Sequence, residues 1–159
     1  MKTVVLSLCL VLSFPAVVGS AAGAVAAAPH TVSETKTGDF AWVPPDGYPN
    51  YFPFGQCTWW AAYNRRVTWG GNARDWLANA KAQGVATTDV PSIGAIAVYR
   101  PGGRYSVYGH VAVVTALAAH SYTVSEMNAV GWGRVNSRET GWPDGDVLGF
   151  IPLRAGEVR

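Results

Sequence analysis

Phe54-Gly55-Gln56-Cys57-Thr58-Trp59-Trp60-Ala61-Ala62-Tyr63-Asn64-Arg65 reads as a loop that becomes a helix, and the helix opens on a cysteine. The helix-compatible run covers 56–67, with Trp59, Trp60 and Tyr63 on one face at spacings of three and four. A second helix follows. Asn72 is its expected N-cap, Asp75 stands three residues on as the acidic half of a capping box, and Gly84 supplies the stop. Trp76, Leu77 and Ala80 give it an apolar stripe. Beyond Gly84 the period changes. The runs 93–99, 107–117, 121–127, 133–138 and 147–153 are β-rich, separated by turns such as Pro101-Gly102-Gly103 and Pro143-Asp144-Gly145. Two helices followed by a meander of strands predict an α+β fold, its helices packed on one face of an antiparallel sheet.

The cysteine stands alone. The sequence holds two, and the other, Cys9, falls in a segment with the marks of a secretory signal over 1–26. Met1-Lys2 is its charged start, an apolar run covers 3–18, and small residues lead to cleavage after Ala26 or Ala28. The run is shorter than the ~20 residues a membrane span needs, so no membrane association is expected once the signal is gone. Residues 27–45 are polar, end in Pro44-Pro45 and read as a flexible tether. One domain is expected over 46–155, within a mature chain of roughly 130 residues. With 49% apolar and only 14% charged residues it can build a core. A net charge of +2 is too small to argue for nucleic acid; it permits weak attraction to an anionic polymer. Outside the cell, where cysteines normally pair, an unpaired thiol needs a reason, and nucleophilic catalysis is the best available.

A thiol attacks an acyl group as thiolate, so its pKa must fall well below the free value of about 8.5. Cys57 at a helix N-terminus has unpaired N–H groups to favour an anion, and the same groups suit the oxyanion of a tetrahedral intermediate. A histidine must take the proton. Of three, His30 lies in the tether and His120 at an expected hairpin tip; His110 interrupts the apolar strand Gly109-His110-Val111-Ala112-Val113-Val114. A titratable group there is hydrogen-bonded or functional. Gly109 beside it reads as room for a substrate to approach. To orient the imidazole, the strand Thr123-Val124-Ser125-Glu126-Met127-Asn128 offers Glu126 and Asn128, two apart and expected on one face. Aromatic residues crowd the vicinity; Tyr51 and Trp132, with Gln56, are candidate substrate contacts.

The stretch 54–61, Gly71-Asn72-Ala73 with Trp76, Pro91-Ser92-Ile93-Gly94-Ala95-Ile96-Ala97-Val98, Gly109-His110-Val111-Ala112-Val113-Val114 and Glu126-Met127-Asn128 occur in an order similar to the cysteine, histidine-dependent amidohydrolase/peptidase (CHAP) domains of bacterial and phage wall lysis. The resemblance spans 48–153, and its Gln-Cys-Thr-Trp core is specific. It implies a papain-like fold and hydrolysis of a peptidoglycan amide outside the cytoplasm, at the wall, by a monomer without cofactor. It implies Cys57 as nucleophile, His110 as base and then acid, Glu126 as orienter and Asn128 as a fourth polar position. Relatives that bind calcium use an aspartate-rich loop ahead of the cysteine. Here Asp46-Gly47-Tyr48-Pro49-Asn50-Tyr51 has one carboxylate, and no metal is carried over.

Rival readings keep the fold and change the task. One is a papain-like amidase on a small peptide amide, which the export signal argues against. Another is a secreted wall-binding domain without activity, which would have no need of a reactive thiol. The related NlpC/P60 peptidases set their cysteine in Asp-Cys-Ser-Gly, which this chain lacks. Whether the scissile bond joins sugar lactyl group to stem peptide or lies within the peptide stays open.

Overall fold

The computed structural model describes residues 47–157; the expected signal and tether, with Cys9 and His30, lie outside the described residues. Helix α1 is Cys57–Asn64 and buries Ala61, Ala62 and Asn64. It stops earlier than the helical period because Arg65 turns extended, with φ −136° and ψ 141°, to carry its guanidinium into the protein. A short 3-10 turn, Ala73–Asp75, leads into helix α2, Trp76–Ala82. The expected capping box does not form: Asn72 makes no side-chain cap bond, and the Asp75 carboxylate faces Arg74 Nε at 3.5 Å. The backbone closes the turn instead, Asp75 N–H donating to the Asn72 carbonyl. Gly84 ends the second helix as read, with φ +74°.

Five strands follow: β1 Ile96–Tyr99, β2 His110–Leu117, β3 Ser121–Met127, β4 Val135–Gly141 and β5 Val147–Ile151. Every pairing is antiparallel, in the order β4-β3-β2-β1-β5. This corrects the meander, which would set β5 beside β4. The reason is burial on two faces. Phe150 and Ile151 point to opposite sides of β5 and both are fully buried, one in each core cluster, where β5 lies beside β1. Strand β4 has one face in solvent, and it runs to Gly141 because Ser121 of β3 extends the ladder that far.

The sheet is covered on both faces. Ala61, Ala62, Trp76 and Ala80 of the helices meet Ile96, Val98, Val111, Val113 and Ile151 on one. Across the sheet, Tyr99, Tyr122 and Phe150 pack with Ala97, Ala112, Val114 and Val124. Alternation along β2 therefore sends Val111 and Val113 toward the helices and His110 toward the aromatic side. Gly109 starts β2 at φ +74°, and a Cβ there would lie 2.8 Å from the Tyr99 carbonyl and 2.9 Å from the Arg74 backbone nitrogen. Close packing against the 3-10 turn requires glycine there, and Gly109 also lines the cleft beside His110.

Candidate active site

Helix α1 begins without a side-chain cap on Gln56 and without an acid in its first turn, so its leading N–H groups are left for other partners. The Thr58 N–H turns to the Cys57 sulfur, and the Val111 N–H of β2 reaches the same atom. The imidazole of His110 completes the sulfur's hydrogen bonds. On its far side, His110 Nε2 lies 3.0 Å from Glu126 Oε2, which leaves Nδ1 for the thiol. The β2–β3 register, with Val113 opposite Ser125, puts Glu126 on the face that His110 uses. The carboxylate is fully buried and the imidazole nearly so.

Burial opposes every charge in this line, and close partners outweigh it. Burial pushes the Cys57 thiol up, but hydrogen bonding and charge from His110 and the two backbone donors carry it below its ordinary value. Burial alone lowers His110; Cys57 and Glu126 raise it to about 9. Burial likewise pushes Glu126 up, and His110 with Arg138 takes it down to about 2. The shifts run in one sense, toward thiolate, imidazolium and carboxylate together.

Two residues that composition and motif did not flag complete the carboxylate's surroundings. Arg138 Nε donates to Glu126 Oε1 at 3.0 Å and Nη2 to Oε2 at 3.2 Å, while Asn136 Nδ2 donates to Oε1 at 3.0 Å. Both come from β4, where Glu126 pairs with Asn136 and Val124 with Arg138. Tyr105, from the loop before β2, lays its ring parallel to the imidazole at 4.7 Å and 7°. Its hydroxyl accepts from Arg138 Nη2 at 2.7 Å. The alternation Asn136-x-Arg138 was the available sign: two polar side chains one strand away, on the face of Glu126.

A cleft of about 730 Å³ opens over this line, and Gln56, Cys57, His110, Glu126 and Asn128 stand in its walls. Asn128 departs from the expected strand geometry. Strand β3 stops at Met127, Asn128 has φ +66°, and its Nδ2 donates to Gln56 Oε1 at 3.2 Å. Tyr51 and Trp132, expected as substrate contacts, stand outside the cleft walls. Tyr51 is 76% exposed and stacks on Phe52, which takes the wall position. The Trp132 ring rests on Gly55, where a Cβ would lie 2.2 Å from its carbons. His120 is exposed at the β2–β3 turn, as read. Among the described residues no group of His, Cys, Asp and Glu could hold a metal ion, and no helix is long and apolar enough to cross a membrane.

Comparison with known proteins sets this geometry among relatives. The sequence profile of the CHAP domain matches residues 47–128. A Streptococcus mutans protein named "Putative hydrolase" is 35% identical over 114 residues, 67% of this chain and 46% of that protein. "Probable autolysin LDP" of Staphylococcus aureus is 36% identical over 97 residues, 56% of this chain and 33% of that protein. The chain thus spans less than half the length of these curated relatives. A solved structure of N-acetylmuramoyl-L-alanine amidase from Staphylococcus aureus aligns with TM-score 0.55 at 28% identity, over 63% of this chain and 31% of that one. The fold is the papain-like α+β arrangement.

Proposed function

The chain belongs to the CHAP domain family, and from that premise we propose that it is a secreted peptidoglycan hydrolase that breaks an amide bond with Cys57 as nucleophile. The observation that carries the reading is the line of half-buried Cys57 with buried His110 and Glu126 in the walls of an open cleft. A hydrolase, an autolysin and an amidase among the similar proteins support the substrate class. Residues 1–26 act as the export signal and 27–45 as the tether, and the enzyme works at the wall as a monomer without cofactor.

In this mechanism the Cys57 thiolate attacks the amide carbonyl, and backbone N–H groups at the start of α1 receive the oxyanion. The His110 imidazolium gives its proton to the leaving amine as the C–N bond breaks, and a thioester remains on Cys57. Neutral His110 then takes a proton from water, the hydroxide displaces sulfur, and the acid product leaves with thiolate and imidazolium restored. Glu126 orients the ring throughout. Gln56 and Asn128, joined by a hydrogen bond in the cleft wall, contact the substrate beside the cysteine.

The test is digestion of purified peptidoglycan by wild type and Cys57→Ala, with mass spectrometry of the fragments. Products are expected only with wild type. New amino termini within peptides identify an endopeptidase, and sugar chains freed of peptide identify an amidase. Equal fragments from Cys57→Ala, or none from several wall types with a folded protein, overturn the reading.

A further inference from the structure

With Cys57 reacting as thiolate and His110 as imidazolium, the line carries two anions and one cation, and its His110 and Glu126 side chains are sheltered from water. Such a cluster persists only with a compensating cation or by taking up a proton. Arg138 supplies a cation. Its fork spans both Glu126 oxygens, the bidentate geometry in which a guanidinium binds most firmly. Its Nη2 also donates to the Tyr105 hydroxyl, whose ring covers one face of His110. One side chain thus ties the imidazole at its edge, through Glu126, and at its face, through Tyr105.

We infer that Arg138, held by Tyr105, is a positioning residue of this site, the cation that balances the line and keeps Glu126 aimed at His110. The inference rests on reading Cys57 and His110 as the reacting pair. Other groups facing the cluster do not replace it. Tyr99 lies under the guanidinium at 5.5 Å and shares a hydrogen bond with Tyr122. Burial raises Tyr99, Tyr105 and Tyr122 against the pull of Arg138, and they stay neutral. Asp144 lies beyond Tyr122, which donates to it at 3.4 Å, and Arg104 is an exposed side chain on the Tyr105 loop.

Removing opposite charges must displace the site's titration in opposite directions. Without Arg138 the cluster is more negative, so the thiolate protonates at higher pH. Without the Glu126 charge it is more positive, so the thiolate survives to lower pH. A merely structural loss gives no such opposition.

The experiment is the pH dependence of Cys57 alkylation by iodoacetamide, read by mass spectrometry, for wild type, Arg138→Met, Arg138→Lys, Tyr105→Phe and Glu126→Gln. It needs no substrate. Arg138→Met should move the acid limb upward by about one pH unit or more, a tenfold slower reaction at a fixed pH on that limb. Tyr105→Phe keeps the stacked ring, removes one of the two hydrogen bonds of Arg138 Nη2, and should move the limb upward by less. Arg138→Lys restores the charge and should hold the limb near its wild-type position, while Glu126→Gln moves it down. Circular dichroism checks folding, and Tyr105→Phe serves should Arg138→Met not fold. An acid limb unmoved in Arg138→Met and Tyr105→Phe, or moved the same way as in Glu126→Gln, overturns the inference. If wild type releases nothing from peptidoglycan while these limbs still shift in opposite directions, the substrate reading fails and the role of Arg138 stands.

Discussion

At Cys57 two forces contend for one proton: burial favours the thiol, and His110 with two backbone donors favours the thiolate. The outcome can be read from pH. Acyl transfer needs the thiolate and the imidazolium together, so kcat/KM should follow a bell. The acid limb lies below the ordinary thiol range. The alkaline limb lies near pH 9, where His110 loses the proton it must give to the amine. Release of soluble wall fragments against pH checks this; activity still rising at pH 10 would exclude His110 as the acid. Glu126→Gln removes a charge-assisted hydrogen bond of about 1.5–3 kcal/mol, so kcat/KM should fall about 10- to 150-fold and the alkaline limb should move down. An unchanged rate would mean that Glu126 does not orient the ring. Cys57, His110 and Glu126 were legible because each is anomalous where it stands: a lone thiol, a titratable ring in an apolar strand, a carboxylate one strand on. Arg138 was not, because an arginine in a half-solvated strand is ordinary until its partner across the ladder is known. Asn128 misled for a local reason, since alternation ends with the strand and its φ of +66° turns the side chain toward Gln56.

Among the elements, β2 has to bring His110 to the sulfur, and its starting point is set by the turn before it. Gly109 holds φ +74° with its N–H donating to the Ser106 carbonyl at 3.0 Å. Gly109→Ala places a methyl within 2.9 Å of backbone atoms on two sides, where nothing flexible can yield. The left-handed conformation adds about 1–2 kcal/mol of strain for a residue with a Cβ. The variant should lower the urea midpoint and drive the Cys57 alkylation profile toward that of a free thiol, because His110 is adjacent. Wild-type behaviour in both measurements would mean that the turn does not position His110. The periodicity of 2 and 3.6 announced two helices, five strands and their antiparallel sheet. Strand order escaped it, because alternation tells which face a residue takes and not which neighbour a strand chooses. The cue was in β5, where Phe150 and Ile151 are apolar on successive positions and both require burial.

Across the domain, one contact joins ends that the chain keeps far apart. Arg65, just past α1, is 1% exposed and pairs with Glu157 at 2.9 Å; it also donates to the carbonyls of Gly94, Ile151 and Pro152. Glu157 lies two residues past the expected end of the domain, yet its carboxylate accepts from the backbone N–H groups of Arg66 and Arg154 as well. Charge and hydrogen bonds from Arg65 and Arg154 overcome burial and hold Glu157 below the usual carboxylate range. Nothing in Arg65-Arg66 or in Gly156-Glu157 marks this clasp, since a surface reading of such residues is the natural one. Glu157→Ala strands a buried guanidinium, and losing one partner of a buried pair costs about 3–5 kcal/mol. Thermal unfolding should show a large fall in Tm, whereas the double variant Arg65→Met with Glu157→Leu should recover much of it. The folded Glu157→Ala protein should keep the wild-type alkylation profile of Cys57, because α1 separates the two sites by about 12 Å. The pH sign follows from the lowered carboxylate. The contribution of Glu157 is complete above its ordinary range and is lost as pH falls through its folded value. Below that value wild type and Glu157→Gln should therefore converge in stability. A gap between them as wide in acid as at pH 7 would mean that charge does not hold the clasp.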